Sequence, residues 1–208
     1  MGPRLGILGA GKLGTAVARL AVAAGRQVTM TDARTDPMID LIVSTVAPGA
    51  RLASFRDLVA ASDMVLLAVP YSRLAEVDLD RLADRVVIDA TNPWLESDGD
   101  HPPPSPLRNR PGLRVVRSLN HLAYEDLAAY ASPPGTPFRT AVAVASDDVV
   151  ARAQVASLVD DLGFDAVEME ARNAWLLDST GPFFGRRLSS AEMSAVASAS
   201  RRANRLAW

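Results

Sequence analysis

The sequence predicts an α/β protein: a doubly wound, mostly parallel sheet followed by a short C-terminal helical extension. Three observations carry that reading. Short apolar runs alternate with capped, amphipathic stretches along most of the chain, which is the pattern of a parallel sheet joined by right-handed crossovers. Residues 64–69, MVLLAV, are apolar on both faces, as a strand buried between two layers of helices must be. Residues 5–32 hold a strand, a glycine turn, a helix, a second strand and an acid, in that order.

That last stretch organises the rest. The run Leu5-Gly6-Ile7-Leu8 leads into Gly9-Ala10-Gly11-Lys12-Leu13-Gly14, a GxGxxG turn. A helical pattern over 15–24 stops at Gly25, and Val28-Thr29-Met30-Thr31 ends on Asp32. Each residue type has a physical task in a Rossmann-like dinucleotide-binding unit. Gly9 permits the tight turn, Gly11 admits a pyrophosphate to the backbone, and Gly14 lets helix and strand pack closely. The N–H groups of Lys12 and Leu13 open the helix, where its dipole favours an anion. Asp32 stands 18 residues past Gly14, near the ~20 expected of the acid that binds the adenosine ribose hydroxyls.

The remaining elements follow in order. Asp36-Pro37 reads as an N-cap with proline in the first turn, opening a helix over 38–46 that ends at Pro48-Gly49. Ser54 caps a short helix over 55–61, and the strand 64–69 stops at Pro70-Tyr71. Helical spacing returns over 72–82. Strands are expected at 86–88 and 113–116, with a Pro-, Gly- and Asp-rich loop over 97–111 between them. A helix over 122–130, a strand over 141–145, and a helix over 149–162 capped by Ser146-Asp147-Asp148 come next. Gly163 ends that helix, a short strand occupies 164–168, residues 171–178 read as helical, and a final helix runs from Ser189 or Ser190 to about 205. The division expected is a dinucleotide-binding domain over 1–168 and a helical extension over 169–208. The extension's apolar face needs a partner, from this domain or from a second subunit.

Composition narrows the classes. At 49% hydrophobic, 208 residues can bury a full core. A formal charge of −2 argues against a nucleic-acid partner. With no cysteine, disulfides, thiolate catalysis and cysteine metal sites are excluded. No charge-free apolar run approaches the ~18 residues of a membrane span, and the first strand leaves no room for a signal peptide, so a cytoplasmic location is expected. Lys12 is the only lysine among 22 basic residues, which we read as base composition.

With these motifs in order, the chain resembles the coenzyme F-420-dependent NADP oxidoreductase family, over about residues 5–185. The marks are GAGKLG, DMVLLAVP at 63–70, IDATNP at 88–93, VVRSLN at 115–120, Gly163-Phe164-Asp165 and Asn173-Ala174. The resemblance implies hydride transfer between a nicotinamide and the 5-deazaflavin ring of F-420, stacked face to face in one cleft. Such transfer rests on positioning, so no dedicated acid–base residue is required. The chain departs from the family's NADP-binding pattern, a small hydroxyl residue followed by arginine. Asp32 and Ala33 hold those positions, with Arg34 next. Asp32 suits a ribose diol and would repel a 2′-phosphate by roughly 4 kcal/mol, at ~4 Å and an effective dielectric of ~20. NAD is therefore favoured over NADP, with Arg34 offsetting part of the repulsion. The other departure is a short, Arg-rich C-terminus after Gly185.

The expected cofactor contacts are Gly9, Gly11, Lys12, Leu13 and Gly14 on the pyrophosphate, Asp32 and Arg34 at the adenosine ribose, and Val69, Pro70, Tyr71 and Asn92 along the channel. The turns at Gly9, Asp32, Val69, Thr91 and Ser118 should form one cleft at the carboxyl ends of the strands. His121 would protonate or orient a carbonyl or imine, or else sit on the rim. Asn120 would donate to the nicotinamide or substrate, or else cap the helix before Leu122. Trp94 and Trp175 read as packing residues. Asp98, Asp100 and His101 lack ligand spacing and read as a solvated loop, so no metal is expected. No GxSxG is present, which sets hydrolase chemistry aside. The alternatives are a reductase of a small carbonyl or imine metabolite, its site completed by a homodimer, and a dinucleotide-binding regulator without turnover.

Overall fold

The computed structural model describes residues 2–33, 37–93, 105–107 and 110–206. Arg34, Asp36, Trp94, Asp98, Asp100 and His101 lie outside them, so the expectations for those side chains stay with the sequence.

Among the described residues, eight strands form one sheet in the order β3-β2-β1-β4-β5-β6-β7-β8. They are β1 (Leu5–Leu8), β2 (Val28–Thr31), β3 (Arg51–Leu52), β4 (Met64–Leu67), β5 (Val86–Asp89), β6 (Arg114–Ser118), β7 (Ala141–Ala145) and β8 (Asp165–Met169). Every pairing is parallel except β6 with β7. The strand order reverses on either side of β1, where the register sets Leu8 beside both Thr31 and Leu67. That reversal opens the crevice at the carboxyl ends in which such sheets bind ligands.

Among the described residues, six α-helices accompany the sheet: α1 (Lys12–Ala23), α2 (Pro37–Val46), α3 (Phe55–Ala61), α4 (Tyr124–Tyr130), α5 (Val149–Asp161) and α6 (Ser190–Leu206). Alternating strand residues send side chains to opposite faces. On one face Ile7, Leu66, Ile88 and Val144 pack against Val17 and Ala18 of α1, Val43 of α2, Leu127 of α4 and Val155 and Leu158 of α5. The other face has two patches. Val65, Leu67 and Val87 meet Leu58 of α3 with Leu74, Leu79 and Leu82. Ala141, Ala143 and Ala145 meet Leu176, Phe183, Met193 and Ala197. Met193 and Ala197 of α6 are thus covered by this chain's own sheet.

Several elements differ from expectation. Residues 72–82 form two 3-10 turns, Tyr71–Glu76 and Leu79–Leu82, instead of one helix. Leu74, Val77, Leu79 and Leu82 recur at spacings of three, two and three, which tight turns broken at Asp78 bury better than a 3.6-residue helix. Residues 171–178 likewise resolve into a 3-10 turn, Ala171–Leu177. The two-residue β3 has no apolar run to announce it, being a half-exposed edge strand. Asn120 does not cap α4, whose N-cap is Ala123. Ser54 and Asp148 do cap their helices, accepting from the N–H of Asp57 and Ala151. No described helix is long and apolar enough to cross a membrane.

Candidate functional site

The glycine turn is specified by contacts on both sides. Gly9 takes φ +113°, and a side chain there would strike the Ala68 carbonyl at the end of β4. A Cβ on Gly14 would overlap the Gly9 carbonyl oxygen. Gly11 differs: a Cβ there meets nothing within 4 Å, because it faces open space. Two glycines are required by the protein's own packing, and the middle one leaves room beside the backbone. The first turn of α1 has neither a side-chain cap nor an acidic residue, which leaves its N–H groups for an anion.

Asp32 is tied into the same turn. Its Oδ2 accepts a hydrogen bond from the Ala10 N–H at 2.8 Å, while the Gly9 N–H donates to the Thr31 carbonyl at 2.8 Å. Together these bonds hold the end of β2 against the loop after β1. A cleft of about 510 Å³ opens there, lined by Gly9, Gly11, Asp32, Val69 and Pro70 as expected. Its remaining wall was not foreseen: Phe55, Arg73, Glu76, Val77 and Asp78 come from α3 and from the turns after β4. The residues present fit a dinucleotide, with open space at Gly11, free helix N–H groups and an acid at the ribose position.

Lys12 does not line this cleft. Its ammonium donates to the Tyr124 hydroxyl at 2.9 Å and sits 5.0 Å from that ring's centre, joining α1 to α4. The hydrogen bond to Tyr124, before any other cause, holds the ammonium charged. Leu13 packs against the main core.

Asn92, Asn120 and His121 gather at the ends of β5 and β6 and are not among the residues that line this cleft. Asn92 Nδ2 donates to the Asn120 carbonyl at 2.8 Å, and Asn120 Nδ2 donates to Asn92 Oδ1 and to the Leu177 carbonyl at 3.0 and 2.7 Å. The donor capacity expected of Asn120 is therefore spent internally, and its Oδ1 is left without a partner among the described residues. Leu119 takes φ +65° in the turn that leads to His121, which is 1% exposed beside Phe183. Burial, and then the Arg117 cation, push its pKa down to about 4, so the ring is neutral near pH 7.

Beneath them lies a charged network that sequence reasoning did not single out. Arg117 Nη1 donates to Asp89 Oδ2 and to the Thr91 carbonyl, both at 2.9 Å, while Nη2 reaches Asp178 Oδ1 at 2.9 Å. Thr91 closes the ring through its N–H and hydroxyl, both donated to Asp89 Oδ1. Tyr71 stands near this network; burial, then Asp89, push its hydroxyl pKa up, and Arg117 pulls it back. The one signal in the sequence was a charge at the end of each of two apolar strands. Among the described residues no cluster of His, Asp and Glu could hold a metal ion.

Residues 4–93 match the family described as NADP oxidoreductase, coenzyme F420-dependent. The resemblance read from the motifs holds over that segment. Among solved structures, a hypothetical protein from Sinorhizobium meliloti is 25% identical, with a TM-score of 0.72 over 90% of this chain and 95% of that one. A candidate F420-dependent NADP reductase from Arthrobacter sp. FB24 is 24% identical, with a TM-score of 0.63 over 81% of this chain and 85% of its own. An imine reductase variant from Myxococcus stipitatus, solved with NAD+, is 17% identical with a TM-score of 0.59, and this chain spans 54% of its length. The last two show the shared fold. A search of curated proteins finds no significant match. The family match and the Rossmann-like sheet together support an NAD(P)-dependent oxidoreductase.

Proposed function

We propose that the protein binds NAD in the cleft at the ends of β1, β2 and β4 and passes hydride between its nicotinamide and a second acceptor, the deazaflavin coenzyme F-420. The observation that carries the dinucleotide part is Asp32, hydrogen-bonded to the Ala10 N–H of the glycine turn and lining the same cleft as Gly9 and Gly11. The family match supports F-420 as the acceptor.

The dinucleotide supplies the hydride chemistry when bound; the chain binds and orients it. Gly9, Gly11 and Gly14 shape the turn, and the N–H groups of the first turn of α1 take the pyrophosphate. Asp32 accepts from the ribose diol, which favours NAD over NADP. Val69 and Pro70 give the channel a dry wall, and the interlocked amides of Asn92 and Asn120 hold the ends of β5 and β6 in place.

Calorimetric titration with NAD, NADP and oxidised F-420 tests this. NAD should bind at least about tenfold tighter than NADP, a gap of ~1.4 kcal/mol, and Asp32→Ser should close most of that gap. Tighter NADP binding would remove the role given to Asp32. Dinucleotide binding without F-420 binding would move the acceptor to a small carbonyl or imine compound, and no dinucleotide binding would overturn the reading.

A further inference from the structure

The dinucleotide reading uses one charged residue of the cleft and leaves the others without a task. Arg73, Glu76 and Asp78 line the same cavity as Asp32. Arg73 and Glu76 sit three apart on a 3-10 turn, where side chains three apart eclipse. The consequence is a two-point contact: Nε and Nη2 of Arg73 both donate to Glu76 Oε2, at 3.0 and 2.7 Å. The hydrogen bond from Arg73 holds the Glu76 carboxyl below its ordinary range. Asp78 accepts a single bond, from Arg81 Nε at 2.7 Å. Among the described residues the lining presents three carboxylates and one guanidinium, and one of those carboxylates engages the guanidinium.

NADP differs from NAD by a 2′-phosphate on the adenosine ribose. Proteins recognise that group best with the planar fork of an arginine, through two parallel N–H donors. In this cleft the fork exists, but Glu76 holds its Nε and Nη2. We infer that Glu76 is a specificity-determining residue: by engaging Arg73 it withholds the guanidinium that would take a 2′-phosphate, so discrimination against NADP is set by two elements. Asp32, at the end of β2, repels the phosphate. Glu76, on the turn after β4, keeps its natural partner away. Arg73 and Glu76 are 44% and 61% exposed, so the pair is an adjustable surface contact that can be altered without disturbing the core.

The inference rests on the adenosine half lying in this cleft, and fragments of the dinucleotide test it directly. Calorimetry on the full chain would compare 5′-AMP with 2′,5′-ADP. Glu76→Gln should raise the affinity for 2′,5′-ADP by roughly tenfold, the worth of one charge-assisted contact, and leave 5′-AMP within about twofold. The double variant Arg73→Ala/Glu76→Gln should lose that gain. No gain in the single variant overturns the inference, as does a gain that persists without Arg73, because Glu76 would then act only through its own charge. A wild-type protein that binds neither 5′-AMP nor NAD would overturn the dinucleotide reading itself, a result distinct from either.

Discussion

His121 shows what a single residue's surroundings do to its chemistry. A histidine at the end of β6 has the side chain expected of an acid–base group, but the chain encloses it beside Phe183 and lowers its pKa from 6.5 to about 4. Between those values the unfolded chain binds a proton that the folded protein refuses, so stability falls as pH drops through that window. Each tenfold change in proton affinity is worth ~1.4 kcal/mol, which puts the full loss at about 3 kcal/mol. Urea unfolding at pH 7 and pH 4.5 should show the wild type losing stability and His121→Phe losing markedly less. Equal losses would show that the ring is not the source. Asp63 and Asp148, each lowered to about 2 mainly by an arginine hydrogen bond, act below their ordinary 3.8 and leave this window clear. The identity of His121 was plain in the sequence. Its enclosure was not, because Phe183 lies 62 positions further along the chain.

At the scale of elements, Arg117 joins β5, β6 and the segment after the last 3-10 turn. Its partner Asp89 has a side chain only 8% exposed. A buried carboxylate that loses its cation costs far more than an exposed pair contributes. Arg117→Met should therefore destabilise the protein by about 3–5 kcal/mol, and adding Asp89→Asn should restore part of it, as measured by urea midpoints. An effect under ~1 kcal/mol would mean the network is a surface pair in energetic terms. Element identity was legible wherever one local pattern dominated. The run at 141–145 is β7 itself, and Ser54 and Asp148 cap their helices as read. Local pattern failed where a second solution buried the same leucines. Leu74 and Leu82 would be buried by a helix or by two 3-10 turns, and the choice depends on how far the connection must reach between β4 and β5.

Over the whole molecule, the last helix packs on the same sheet that carries the candidate cleft. Met193 is fully buried among Ala141, Ala143 and Ala145 of β7 and residues of the preceding segment. Because α6 shares that core, unfolding should be a single transition, coincident by tryptophan fluorescence and far-ultraviolet circular dichroism. Met193→Ala should lower stability by about 2–5 kcal/mol through the lost contacts and the cavity left behind. An early, separate transition for the C-terminal segment would show that it is an independent unit.

The sequence by itself determined the sheet-forming runs, most of the helices and the dinucleotide-binding unit. That unit lies within residues 5–32, and its glycine spacing and its acid stand close together in the chain, although the carbonyl that excludes a side chain at Gly9 comes from the distant Ala68. Tertiary structure decided the rest: the reversed direction of β7, the Arg73–Glu76 wall of the cleft, the burial of His121 and the covering of Met193 and Ala197 of α6. These depend on contacts between distant positions, such as Asn120 with Leu177, 57 residues apart, and Arg117 with Asp178, 61 apart. Residue type and spacing show what a side chain is able to do. Only the assembled packing fixes its neighbours, and they decide whether it faces a ligand, a partner charge or the core.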